Sequence, residues 1–248
     1  MEKTIETIIT ASENTYAKVQ MSLYTHLSGR HLFSLNYMCK RLREIEDTEN
    51  YDKIHGEEHT ALSHSAVLLS VCMLESNINE LFCDSLFSPK NLSDIDCEQI
   101  LLLKNMWKLD IPRTSKYSVL NKYTIALTLL QRPVFNKGEA TYQDVDLLIK
   151  LRNQLTHSEA EITTNDENDK TKSAKLYNQL GAKFKAKKGT ESIGNPFFPD
   201  KCFGYGCAEW SALSAINFIK EFYVLAGMKS KLEFLSRMIE GNNLSLFM

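Results

Sequence analysis

The sequence predicts an all-α protein: a bundle of about seven or eight helices with an irregular loop insertion around residues 161–207. Three observations predict it. Apolar residues recur at helical spacing through most of the chain. Gly and Pro are scarce, at 10 and 5 of 248 residues, which leaves little room for tight-turn architecture. No convincing series of alternating strands and no internal repeat interrupts the helical pattern.

Taken in order, residues 1–27 read as a first helix through Ile5, Ile8, Ile9, Tyr16, Val19 and Leu23, and Gly29 interrupts it. Residues 30–46 resume the period through Leu32, Leu35, Tyr37, Met38 and Leu42, and polar residues 47–58 read as a loop. Thr60–Phe87 is the strongest helix. It is apolar around much of its circumference, as a central bundle helix should be, and Pro89 ends it. Ser93 offers an N-cap for a helix over 94–109, and Pro112 and Pro133 bracket another over 117–130. Thr141 is placed to cap the next helix. From Glu161 to Gly206 the period breaks: residues 162–175 are polar and exposed in character, and NPFFPDKCFGYG suits a loop packed on the body. Residues 208–226 are a strongly apolar helix and 230–240 a short final one. The expected organisation is one helical domain over 1–248, with 1–50 as an N-terminal helical extension and a core over 60–225.

Composition narrows the function. A net charge of −2 argues against a wholly basic nucleic-acid surface, so any RNA contact comes from a local patch or from assembly. Six cysteines without a CxxC pair, a polar acidic start, and a longest apolar run of nine residues lead to an expectation of a cytoplasmic chain with no membrane span. His55, His59 and His64 do not make a zinc helix, because Gly56 argues against regular helix there, so no metal is expected. Gly204-Tyr205-Gly206 lacks the third glycine and the preceding strand of a dinucleotide loop, and no GxSxG is present; no cofactor is expected.

The stretch LIKLRNQLTHSEAE, residues 148–161, concentrates the chemistry. At about 100° per residue, Leu147, Leu148, Leu151 and Leu155 form the core stripe. With Leu151 at zero, Arg152 lies at about +100°, Asn153 near −160° and His157 near −120°. All three stand off the core stripe, and Asn153 and His157, four apart, can meet. Arg and His near a helix C-terminus also suit the macrodipole with no further role.

Arg152-Asn153-Gln154-Leu155-Thr156-His157 resembles the signature of the HEPN superfamily of helical domains, many of them bacterial ribonucleases: Arg, a polar residue, and a His a few positions on, near the end of a long helix. MLESNINELF, residues 73–82, is similar to the LExxINE helix of several members, and NPFF followed by AEWSALSAINFIKEF is similar to their tail. The resemblance covers roughly residues 60–225 and leaves 1–50 unmatched.

The resemblance implies a HEPN-like fold and a metal-independent endoribonuclease. Two copies of the chain would pair their RxxxxH helices into one composite site holding two Arg and two His. RNA supplies its own nucleophile, the 2′-OH; a neutral imidazole takes its proton, and Arg stabilises the phosphate, giving a 2′,3′-cyclic phosphate and a 5′-OH. Arg152 and His157 are then the catalytic candidates, with Asn153 orienting His157 or contacting phosphate. Glu75, a carboxylate in an apolar helix, needs a partner, and Arg152 or any buried donor would serve. Lys183, Lys185, Lys187 and Lys188 could form an RNA-binding rim with Phe184 stacking on a base, or simply a solvated loop. The implied partners are RNA, a second copy, and an antitoxin or defence-system protein, in the setting of a bacterial toxin or anti-phage effector. Members silenced by nucleotidyltransferase antitoxins carry a Tyr two positions after the His; here Ser158 and Glu159 follow, which argues against that control. The alternative implied by the same resemblance is a non-catalytic module binding RNA, a nucleotide or a protein.

Overall fold

The computed structural model describes residues 5–10, 18–113, 116–157, 172–190 and 197–230, with side chains placed from Tyr24 onward and, in the helix that opens at Lys172, from Lys175. Its body is the expected all-α bundle. Among the described residues, seven α-helices follow one another: α1 (Ser28–Glu46), α2 (Tyr51–Phe87), α3 (Cys97–Lys108), α4 (Val119–Leu129), α5 (Ala140–Thr156), α6 (Lys172–Gly181) and α7 (Tyr205–Ala226). Short helical turns at Pro89–Leu92 and Phe197–Lys201 join them.

α2 is the axis around which the others pack: α1, α3, α4, α5 and α7 all touch it. It is the one described helix long and apolar enough to cross a membrane by length and composition, and 61% of its most apolar window is covered by the other helices. The core is continuous from Leu32, Leu35, Cys39 and Leu42 of α1, through Leu74, Ile78 and Phe82 of α2, to Phe218 and Phe222 of α7. Tyr123 of α4 sits at its centre, fully buried, edge-on to Phe218 and Phe222, with its hydroxyl donating to Leu74 O at 2.8 Å.

Two helix starts are capped from a distance. Neither α1 nor α7 has a side-chain cap of its own. Glu80 of α2 instead accepts the N–H groups of Leu27 and Ser28 at 2.6 and 2.8 Å, and the Ser28 hydroxyl at 2.6 Å. Glu46, the last residue of α1, accepts the Tyr205 N–H at 2.7 Å and pairs with His59 Nε2 at 2.9 Å. Each carboxylate satisfies orphan donors and faces the positive end of a helix, so near-buried charges tie distant segments together.

The structure departs from the expected elements in several places. The described residues of the helix expected over 1–27 form strands instead: Ile5–Thr10 (β1) and Lys18–Leu23 (β2) pair antiparallel, Ile5 opposite Leu23 and Thr10 opposite Lys18. Five of the six β1 residues, IETIIT, are β-branched, which favours strand over helix. The supposed helical extension therefore divides into this ladder and α1, and α1 is part of the core.

The loop expected over 47–58 shrinks to a turn. α2 begins at Tyr51 and absorbs the irregularity at His55, whose φ and ψ of −126° and 16° kink it. Tertiary contacts hold this first part: Tyr51 Oη donates to Lys188 O at 2.6 Å, and Arg41 Nε donates to Glu58 at 2.7 Å. The insertion around 161–207 contains α6, and α7 starts at Tyr205 rather than Ala208. The caps are Asp96, Ser118 and Glu139 for α3, α4 and α5, so Ser93 and Thr141 do not cap. The helix expected over 230–240, and most of the polar stretch 162–175, lie outside the described residues.

Candidate functional site

α5 carries the RxxxxH stretch, and its apolar stripe works as the spacing requires: Val145, Leu147, Leu148 and Leu151 are buried, and the helix packs on α2 and α7. Its end is local chemistry. Thr156 Oγ1 donates back to Arg152 O at 3.0 Å, and His157 leaves helical geometry with φ −129° and ψ 26°, its N–H still donating to Asn153 O at 2.8 Å.

The three candidate residues differ in surroundings. Asn153 and His157 are exposed, and they are joined through the backbone rather than by a side-chain bond among the described residues. Arg152 is half-buried against α2; its Nε is shielded from solvent and carries no hydrogen bond among the described residues. Its charge is felt at Cys72, an exposed thiol on α2: burial pushes that thiol's pKa up, Arg152 opposes the rise, and Glu75 adds to it. Along the axis, Arg152 and His157 are separated by about 7.5 Å of helix rise.

Glu75 is near this end but does not pair with Arg152. Its Oε1 lies 2.8 Å from Nζ of Lys122 on α4, and Nζ also donates to Asn79 Oδ1 at 3.2 Å. Lys122 is 2% exposed. A buried ammonium requires an anion, which is why Glu75 is drawn to α4. Cys72, Glu75 and Asn79, at positions i, i+3 and i+7 of α2, therefore form a strip between a cation from α4 and a cation from α5. Lys122 went unrecognised in the sequence although a signal was there: with Val119 and Ala126 it falls at i, i+3, i+7 on the apolar stripe of α4, where a solvated lysine would not sit.

The lysine run is at the other end of α5. Lys183 pairs with Asp144 at 2.6 Å, Lys187 with Asp52 at 2.9 Å, and Lys188 donates to Glu46 O at 2.6 Å. Lys185 alone of the four has no ion pair among the described residues. Asp144 precedes His157 by 13 positions, about 19 Å of helix. Within one chain, then, the lysine run does not border the Arg152–His157 end.

The discounted histidines have structural partners. His59 is buried on Glu46, His55 Nδ1 lies 3.3 Å from Glu58, and His64 packs edge-on to Phe203. Among the described residues no three His, Cys, Asp or Glu side chains converge as metal ligands. No family model, curated protein or solved structure matches the chain.

Proposed function

We propose that the chain is a metal-independent endoribonuclease of the HEPN type, acting as a homodimer whose composite site pairs two copies of the Arg152–His157 helix end. The observation that carries this is the division of labour on α5. Arg152 is held half-buried against α2 with donor capacity unspent at Nε, while His157, at the C-cap, is open to solvent. A fixed cation and a free imidazole are the two groups that cleavage through the 2′-OH needs.

In that reaction neutral His157 removes the 2′-OH proton and the 2′-oxygen attacks phosphorus. The P–O5′ bond breaks, and the departing oxygen takes a proton from the imidazolium of the second copy. Arg152 offsets charge growing on the phosphate, and Asn153 contacts the phosphate or orients His157. Glu75 takes no part in that step, since its carboxylate is paired with Lys122 of α4. Uncontrolled cutting of cellular RNA halts growth, which is the action of a toxin or an anti-phage effector, and a partner protein would restrain it.

The test is cleavage of RNA in excess EDTA by wild type, Arg152→Ala and His157→Ala, with end mapping and a mass measurement of the assembly. Expected are 2′,3′-cyclic phosphate ends, a dimer, and loss of about 100-fold or more in rate for His157→Ala. Cleavage that requires added metal, survives His157→Ala, or proceeds at a 2′-deoxy position overturns the mechanism. RNA binding without any cleavage points to the non-catalytic alternative.

A further inference from the structure

A cleft of about 1030 Å³ opens between the first turn of α5, the 183–188 segment and the start of α7. Close packing fixes its shape. A Cβ on Gly206 would lie 2.9 Å from Lys185 O, so the segment rests directly on the first turn of α7. The lining is partly aromatic. Phe184 and Trp210 have ring centroids 5.4 Å apart with planes inclined at 41°, and Tyr205 also faces the cleft.

Six charged side chains line the cleft, and their signs balance: Glu46, Asp144 and Glu209 against Lys183, Lys185 and Lys188. Four of them are already committed. Lys183 neutralises Asp144, Lys188 is held by Glu46 O, and the Glu46 carboxylate caps α7 and pairs with His59. The two that are left have opposite signs. Lys185 is exposed and without an ion pair among the described residues. Glu209 has one oxygen accepting the Tyr205 hydroxyl, which leaves acceptor capacity on the other.

A ligand that answers both charges must carry both signs. A simple anion would meet Lys185 but also three carboxylates, and a simple cation would meet Glu209 but also three ammonium groups. Either would leave one lining charge desolvated and unanswered. The rings add a third demand, an apolar body with a flat face. We propose that this cleft binds a zwitterionic small molecule, an aromatic α-amino acid or a short peptide bearing one, with its carboxylate on Lys185, its ammonium on Glu209 and its ring on Phe184 and Trp210. The volume lies at the upper end of the usual ~300–1,000 Å³ range for small-molecule sites, so glycine, which has the charges and no body, is a poor ligand. The amino acid and the peptide present the same three groups and differ in the spacing of the charges, by roughly 3.6 Å for each added residue. The proposal does not depend on RNA cleavage: Asp144, on the cleft wall, is about 19 Å along α5 from His157.

The experiment is calorimetric titration of the full chain with L-tryptophan, L-phenylalanine, glycyl-tryptophan, glycyl-phenylalanine and glycine. Tryptamine and phenethylamine, which lack the carboxylate, and indole-3-propionate and 3-phenylpropionate, which lack the ammonium, complete the set. Saturable one-site binding is expected for at least one aromatic zwitterion, with its one-charge analogues about tenfold weaker or more and no binding of glycine. Lys185→Ala should weaken the zwitterion by about fivefold or more yet leave the amine analogue within about twofold, because the amine never used that lysine. Glu209→Gln should do the same to the zwitterion and spare the carboxylate analogue. Unchanged thermal midpoints are the folding control. Tighter binding of the amino acid identifies it as the ligand, and tighter binding of the dipeptide identifies a peptide. No saturable binding by any aromatic zwitterion, a one-charge analogue binding as tightly as its zwitterion, or zwitterion affinity within about twofold of wild type in both variants overturns the proposal.

Discussion

Lys122 Nζ sits 2.8 Å from Glu75 Oε1 in a position where the lysine is 2% exposed and the Glu75 side chain 44% exposed. The pair is lopsided: the cation depends on the anion far more than the reverse. Removing Glu75 leaves an ammonium inside the bundle with only Asn79 to hold it, whereas removing Lys122 leaves a carboxylate that water can solvate.

Unequal losses follow from that asymmetry. Glu75→Ala should cost about 2 kcal/mol, below the usual figure for breaking a buried pair because the carboxylate is half-exposed, and Lys122→Met should cost less than about 1 kcal/mol. Urea denaturation of both variants checks this; equal losses, or a larger one for Lys122→Met, would show that the pair is not the support it resembles.

Glu46 joins α1, α2 and α7 through the Tyr205 N–H and His59. Glu46→Ala should lower stability by about 2–4 kcal/mol, because it uncaps a helix and orphans a buried imidazole. Glu46→Gln keeps an acceptor and should lose roughly half as much. Backbone hydrogen exchange provides a local readout, with faster exchange expected at Tyr205–Ala208. Exchange no faster there than elsewhere would refute the capping role.

Acid should weaken the fold through His64. Burial, with His59 adding, holds its pKa below the ordinary 6.5. The unfolded chain therefore binds a proton first as pH falls. Stability is full above about pH 7 and declines as the pH drops through the unfolded value, levelling off only below the folded one. His31, lowered by burial with Glu80 opposing, acts in the same direction. Unfolding midpoints at several values between about pH 7.5 and about pH 5 should fall less steeply for His64→Phe than for wild type. Parallel curves would assign the acid loss to other groups.

Tyr123 gives a smaller, cleaner test. Its hydroxyl donates to Leu74 O at 2.8 Å inside the core. Tyr123→Phe keeps the ring packing on Phe218 and Phe222 and should cost about 1–2 kcal/mol. A thermal midpoint unchanged from wild type would mean that Leu74 O needs no partner there.

Individual elements show what the sequence could and could not convey. The stripes of α1 and α5 were legible because one face of each is buried along most of its length: Leu32, Leu35 and Leu42 in one, Leu147, Leu148 and Leu151 in the other. β1 was not, because Ile5, Ile8 and Ile9 fit a helix face as well as a β-branched strand, and pairing with the next strand, Lys18–Leu23, decides between them. The start of α2 was hidden for a similar reason: Gly56 signals a break, yet contacts from Arg41 and Lys188 carry the helix through a kink.

The sequence by itself determined the all-α class, the central place of α2, and the position of Arg152, Asn153 and His157 off the core face, because these follow from the periodicity of apolar residues along single helices. Only the tertiary structure decided which charges meet. It joined Glu75 to Lys122 rather than Arg152, and spent Glu46 on the start of α7. It also put the lysine run at the far end of α5 from His157, beside a cleft walled by α5, α7 and the 183–188 segment. Burial raises the energy of an unpaired charge far more than local spacing can signal, so the partner is whichever opposite charge the packing brings within reach.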